Sequence, residues 1–533
     1  MAFPLVTLSI KNRPFLNNIL ISKENIVVEG ANNAIDIYEI IHKMVPMTDK
    51  TIYTKEKVFE LIQQQKGNIP VQYSKSQKFW TEKNQTCGKY PKLFDLNFNN
   101  HHWQFFKTVN GSYFYILSAF YDNRTLLNNK PVVRILSMIS TLKPYIKPYC
   151  QFWFKELKQP IFIKLSSSNY IWVKGWGNYK EGILQPYLLT CDIPRTNIKM
   201  VPASVSLVES PCDNAKTNIN VINNQPALGV KQNIAVCVKG LDLLRVDFSV
   251  RLVEWLELLY LLGVNKVIMY ELEVHPNISK VLSYYQTKGF IDVIPLTLPG
   301  TQPNFKDIRH RYLKEKYVFR RQNEVIPYND CFYRNMNNYK YISLLDTDEV
   351  IMPRKNITTW TKLLDIIQLN DNKHRSHSSF IFRNVYTMPS MTELQGYNQD
   401  IPTYMHMLRN VYRSVNYTKP GAYIKAFHNT ERILTLHNHF PFACIGGQCS
   451  AYSVNTNDAH LMHYRDDCVA ELKKVCNQFK KFTVRDENIW RYKEKLSNNT
   501  FNVLFRLGFF DYVIGTPNTK WLNSGFSHYF KNK

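Results

Sequence analysis

The run YISLLDTDEVIMP, residues 341–353, passes from an apolar stretch straight into Asp346, Asp348 and Glu349. An apolar strand that ends in two alternate acids puts both carboxylates at one sheet edge, and in open parallel α/β sheets the carboxyl edge is where ligands bind. Asp346 and Asp348 are spaced to share one hard divalent cation, Mg2+ or Mn2+, whose preference for oxygen also suits a diphosphate. An acidic strand-to-loop turn that merely faces water has the same sequence, so both readings stay open on these residues alone. Zinc chemistry is not indicated, because no cysteine pair shows CxxC or Cys/His spacing.

The elements that must position these acids alternate in type. Strand patterns at 234–238, 266–271 and 291–296 flank helical patterns at 249–262 and 277–287, and a further helix over 330–338 leads into the acidic strand. Leu252, Trp255, Leu256, Leu259 and Leu262 recur at helical spacing, with Gly263 as a stop. Such β-α-β order predicts a mostly parallel sheet with helices on both faces. Upstream, short aromatic and β-branched runs such as YFYILSAFY predict a mostly β domain. The expected organisation is a leader or stem over 1–75, a mostly β accessory domain over 76–215, a linker over 216–232, an α/β domain over 233–515 and a tail over 516–533. No internal repeat is visible.

Composition narrows the function classes. The 533 residues are 44% hydrophobic and 14% aromatic, which excludes a disordered chain. A net charge of +25 suits phosphates, nucleotides, nucleic acid or sulfated glycans. The basic residues are dispersed rather than blocked, which speaks against a basic nucleic-acid arm. No run reaches the roughly 18 apolar residues of a membrane span, and the start MAFPLVTLSI has neither a basic region before it nor a cleavage site after it.

The ten cysteines fit five disulfides or ten thiols; the pairs near in sequence are Cys444/Cys449, Cys468/Cys476 and Cys191/Cys212. Asn-x-Ser/Thr stands at Asn84, Asn110, Asn123, Asn277, Asn356, Asn416 and Asn498, in a chain so rich in Asn that several are expected by chance.

Several motifs in register carry a resemblance. The runs CVKG (237–240), VEWLELLYLLGVNKVIMYE (253–271), YNDCFYRN (328–335), DTDEVIMP (346–353), LHNHFP (436–441) and HYR (463–465) resemble glycosyltransferase family 92, as do SAFYDNR (118–124) and VPASVSLVE (201–209) upstream. The resemblance implies a transferase domain of the GT-A type, a metal-dependent inverting reaction, and transfer of galactose from UDP-galactose to a glycan or glycoprotein acceptor in β-1,4 linkage. It places the family's Asp-x-Asp metal motif on Asp346 and Asp348, the cation being Mn2+ or Mg2+. The further metal ligand expected late in the domain has the candidates His439, His437 and His463, in that order.

For the donor phosphates the candidates are Lys239, Arg334 with Asp330 one turn before it, and Asp346; arginine offers fixed bidentate donors. An ordinary i,i+4 ion pair between Asp330 and Arg334 is the competing reading. Glu254 and Glu257 resemble the family's EWxE, and Glu254 is read as structural or donor-adjacent. Asp466, Asp467 and Glu393 are considered as the base that inversion requires, and none is chosen. The resemblance also implies a Golgi or other secretory-pathway membrane location with a lumenal domain. The absence of an N-terminal span therefore suggests an incomplete or divergent start. The alternative reading is a non-catalytic basic module binding glycan or nucleic acid on a transferase fold. A metal-dependent phosphodiesterase ranks last.

Overall fold

A computed structural model of the chain describes residues 73–510 apart from 145, 227–228, 371–376 and 469–472, together with Asn68 and three short strands near the start. The chain divides into two compact units, 1–62 and 63–533. In the first, Val6–Leu8, Ile19–Ile21 and Ile26–Val28 pair antiparallel in succession. The rest of the expected leader up to Tyr73, Asn68 excepted, and the expected tail at 516–533 lie outside the described residues.

The second unit begins with a nine-stranded sheet built around Tyr113–Asp122, Val132–Ile139 and Gln185–Asp192. Its pairings are antiparallel except that Ile219–Ile222 runs parallel to Tyr113–Asp122. That strand lies within the stretch expected as a linker. Alternation along the strands serves two faces. Phe114, Ile116 and Ile135 enter a core within the sheet's own layer, whereas Leu117, Phe120, Leu136 and Leu188 enter a core shared with the α/β half.

In that half β1 (Gln232–Leu243), β2 (Lys266–Val274) and β3 (Ile291–Pro295) alternate with α1 (Ser249–Leu261) and α2 (Pro276–Thr287). Two helices follow, α3 (Lys306–Glu315) and α4 (Tyr317–Asn335), before β4 (Tyr339–Leu344). These strands lie in the order β3-β2-β1-β4, all parallel. Lys425–Asn429 joins antiparallel to β4, then Ser379–Phe382 and Ala451–Ser453 complete the sheet. Ile234, Val236 and Val238 of β1 pack with α1 and α2, while Ala235 and Cys237 face α4 and the accessory sheet. Helices thus cover both faces, as the apolar strand runs require.

A second sheet contains Glu349–Pro353, which follows the acidic turn, paired antiparallel with Ala459–Tyr464. The helix expected at 330–338 is instead the end of α4, which begins at Tyr317 and contains Pro327. Proline removes one helical hydrogen bond and reads as a breaker, but here packing of ten neighbouring buried residues outweighs that loss.

Five disulfides join Cys87–Cys212, Cys150–Cys191, Cys237–Cys331, Cys444–Cys449 and Cys468–Cys476. The expected proximity of Cys191 to Cys212 does not become a bond. Cys191 sits on the strand Gln185–Asp192, where its partner is Cys150, and Cys212 reaches back 125 residues to Cys87.

Candidate active site

In the order β3-β2-β1-β4 the chain leaves β1 toward one side and returns for β4 on the other, so a crevice opens between their carboxyl ends. Both ends carry charge there. In β1 the pairing with β2 skips Lys239, because Val238 opposes Met269 and Gly240 opposes Tyr270. A bulge of this kind re-aims the extra side chain, and Lys239 Nζ lies 3.0 Å from Asp346 Oδ1, just past β4. Gly240 beside it leaves little room for a side chain, since a Cβ there would stand 3.3 Å from both Leu272 and Leu296. Cys237, two residues upstream, is tied to Cys331 of α4, and Glu324 of that helix comes within 3.6 Å of Lys239.

The three acids have different environments. Glu349 is buried, accepts from the Asp346 amide at 2.9 Å and faces Lys425 Nζ at 3.0 Å. Lys425 also approaches Asp346 at 3.4 Å and donates to Asn438 at 2.6 Å. Asp348 is the most open of the three, its side chain 45% exposed, and its Oδ2 lies 3.3 Å from His463 Nε2. The other nitrogen of His463 is 3.6 Å from Glu349.

Burial disfavours charge on Asp346, but Lys239 and Lys425 outweigh it and hold the carboxyl far below the usual range. At Asp348 burial likewise opposes the charge, and His463 turns the balance so that the carboxyl is lowered. Glu349 is pushed upward, chiefly by burial and despite Lys425. Burial works against the His463 cation, yet Asp348 and Glu349 raise it overall.

These groups open on a cavity of about 830 Å³ lined by Lys239, Glu324, Asp346, Asp348, His463 and Arg465, among others. That volume is of the size that encloses a nucleotide-sugar-sized ligand. His310 and Asp242 form a further pair in its wall, Nδ1 to Oδ2 2.9 Å.

Other sequence candidates fall elsewhere. Asp330 and Arg334 pair at 2.5 Å, and Asp330 also accepts from Ser118 and the Tyr270 hydroxyl. They brace the accessory sheet against α4 and do not line the cavity. The physical reason is direction: α4 returns the chain to the start of β4, so its last turns lie away from the carboxyl edge. His437 stacks on Phe440 and lies 4.4 Å from Trp176, and His439 donates Nδ1–H to the Ile424 carbonyl at 3.0 Å. Of the three histidines, His463 is the one that meets the acids, which reverses the expected order.

Glu254 is buried and accepts from the Met407 and Leu408 amides at 2.9 Å each, and Glu257 accepts from the Tyr285 hydroxyl at 2.7 Å. Asp466 and Asp467 line the cavity rim but pair with Arg251 and Lys480. Glu393 neighbours Tyr397 outside it.

Lys425, Glu324 and the Asp242–His310 pair were not singled out from sequence. Lys425 had a signal: a lone charge inside the apolar run YIKAF must be buried with a partner.

No group of three or more His, Cys, Asp or Glu side chains among the described residues forms a ready-made metal cage. Asp346 and Asp348 are of the chemistry by which Mg2+ is usually bound, one or two carboxylates from protein and the remaining ligands from phosphate and water. They do not suit a tightly held resident ion.

No curated protein sequence matches the chain. Among solved structures, the ferredoxin-NADP+ reductase from Plasmodium falciparum with 2'P-AMP is 14% identical, covers 50% of this chain and 96% of its own, and has a TM-score of 0.11. A superposition that poor carries no argument. The profile of glycosyltransferase family 92 matches residues 232–500, from the first residue of β1 through both sheets that carry Lys239, Asp346, Asp348 and His463, and the chain belongs to that family.

Proposed function

We propose that this glycosyltransferase is a divalent-metal-dependent, inverting hexosyltransferase that uses UDP-galactose as donor and a glycan as acceptor. The observation that carries the reading is the meeting of Lys239, Asp346, Asp348 and His463 in one cavity at the β1–β4 crevice. Asp348 and His463, with Asp346, are the groups that would hold Mn2+ or Mg2+. When bound, such a cation supplies positive charge against the charge that develops on the departing diphosphate. Lys239, shared between Asp346 and Glu324, is placed to turn toward a phosphate oxygen. Lys425 keeps Asp346 ionised and oriented from behind. The acceptor hydroxyl displaces the diphosphate from the anomeric carbon, and a base takes its proton.

Five disulfides favour folding in an oxidising compartment, in keeping with a secretory, Golgi-type location. No described helix is long and apolar enough to cross a membrane.

The test is release of UDP from a panel of UDP-hexoses with Mn2+, with Mg2+ and with EDTA. EDTA-sensitive release, greatest with UDP-galactose, is expected. Metal-indifferent release would overturn the cation, equal use of UDP-glucose the sugar, and no release the transferase reading as a whole.

A further inference from the structure

A second cavity, about 410 Å³, adjoins the first. Asp247, Phe248, Arg251 and His406 border both, so the two chambers share one wall. The smaller is not lined by the metal-site acids. Its own walls bring together Tyr397, Thr403, Tyr404, Arg409 and Asn410. Arg409 lies over the Tyr397 ring, 4.1 Å from its centroid.

Thr403, Arg409 and Asn410 bring side chains that donate and side chains that accept hydrogen bonds to one wall. A wall that mixes donors and acceptors suits a ligand that offers both. A hydroxyl does, since it donates and accepts at once. Tyrosine rings supply the complementary surface for an apolar C–H face. A pyranose ring carries hydroxyls around its rim and C–H groups on its face.

We propose that the smaller chamber is the acceptor subsite, holding one neutral pyranose of the acceptor glycan with a hydroxyl directed past His406 into the donor cavity. This deepens the transferase reading and rests on it. The backbone amides of Met407 and Leu408, held by buried Glu254, fix the short helical turn that carries His406 and Arg409. The chamber is thereby pre-formed rather than assembled on binding. Asp247 is spent on the Ser249 amide and the Asn277 side chain, so the shared wall offers no free carboxylate from that residue. In transfer, the acceptor oxygen forms the new bond to the anomeric carbon, the bond from that carbon to the diphosphate breaks with its electron pair leaving on UDP, and the hydroxyl proton passes to a base.

The experiment uses the full chain, UDP-galactose, Mn2+ and a panel of 4-nitrophenyl glycosides of neutral hexoses and N-acetylhexosamines. Some glycoside is expected to accelerate UDP release. For it, Tyr397→Ala and Arg409→Met should each raise KM about tenfold or more, while kcat at saturating glycoside stays within about threefold. Tyr397→Phe keeps the ring and should keep the wild-type KM, which separates stacking from loss of fold. Wild-type KM in both truncated variants, or no glycoside accelerating a UDP release that does occur, would overturn the subsite and leave the transferase reading standing. Wild-type protein that releases no UDP overturns both.

Discussion

The ammonium of Lys425 lies 3.0 Å from the carboxylate of Glu349, and neither side chain reaches solvent beyond 2%. A pair so enclosed is worth little in net stability, but removing one partner strands the other. Lys425→Met is therefore expected to destabilise the fold by about 3–5 kcal/mol. The double variant Lys425→Met/Glu349→Gln should recover part of that loss. Denaturant unfolding of wild type, single and double variants checks this, and a double variant less stable than the single would contradict it.

Asp348 gives the opposite profile. Its side chain is half open to the cavity and its ion-pair partner is His463, with Asp346 and Arg465 also acting on its charge. Asp348→Asn should leave the thermal midpoint nearly unchanged yet lower metal-stimulated UDP release by about 100-fold, the scale on which charge stabilisation acts in such sites. A parallel titration with Mn2+ should show a much higher concentration at half-activation.

Acid should weaken the protein well above the carboxylate range. Burial lowers His406 to about 4 and His428, His437, His439 and His460 to about 3. The unfolded chain takes up these protons at the ordinary histidine value, so each site favours the fold above about pH 6.5 and loses that advantage as pH falls toward 4. At about pH 5.5 the loss is on the order of 1 kcal/mol for each. Glu254, pushed up to about 7 by burial, works in the reverse sense and recovers part of it. Thermal midpoints across pH 5–8 should fall on the acid side, and a flat profile would show that these imidazoles are not buried neutral.

All ten cysteines are paired, so thiol titration of the unreduced protein in denaturant should detect none. A non-reducing peptide map should recover Cys87 with Cys212 and Cys150 with Cys191. Recovery of Cys191 with Cys212 would refute the pairing. Replacing Cys237 and Cys331 together by Ala should cost about 2–5 kcal/mol, because that bond closes a loop across 94 residues.

Much of the α/β half was legible because its signals are local. The apolar repeat of α1, ended by Gly263, set that helix to within one residue at its C-terminal end, and the acids at the close of β4 stood where the strand pattern put them. What escaped depends on tertiary placement. Nothing local distinguishes Arg334, one turn from the wrong sheet edge, from Lys239, at the right one. His463 resembles His439 in sequence, and only the antiparallel pairing that sets Glu349 opposite His463 separates them. The bulge that turns Lys239 inward follows from the β1–β2 register, which no single strand encodes.

The shared core has a consequence for where this enzyme can be divided. Family similarity starts at residue 232, yet Phe120, Leu136, Trp172 and Leu188 from upstream bury the same apolar surface as Ala235, Ile268, Val325 and Phe332 downstream. A polypeptide beginning at 232 would leave one side of β1, β2 and α4 bare, along with the buried Asp330 that Ser118 helps to satisfy. Homology and cooperativity thus draw different borders, and the cooperative folding block extends well upstream of the family-matched segment.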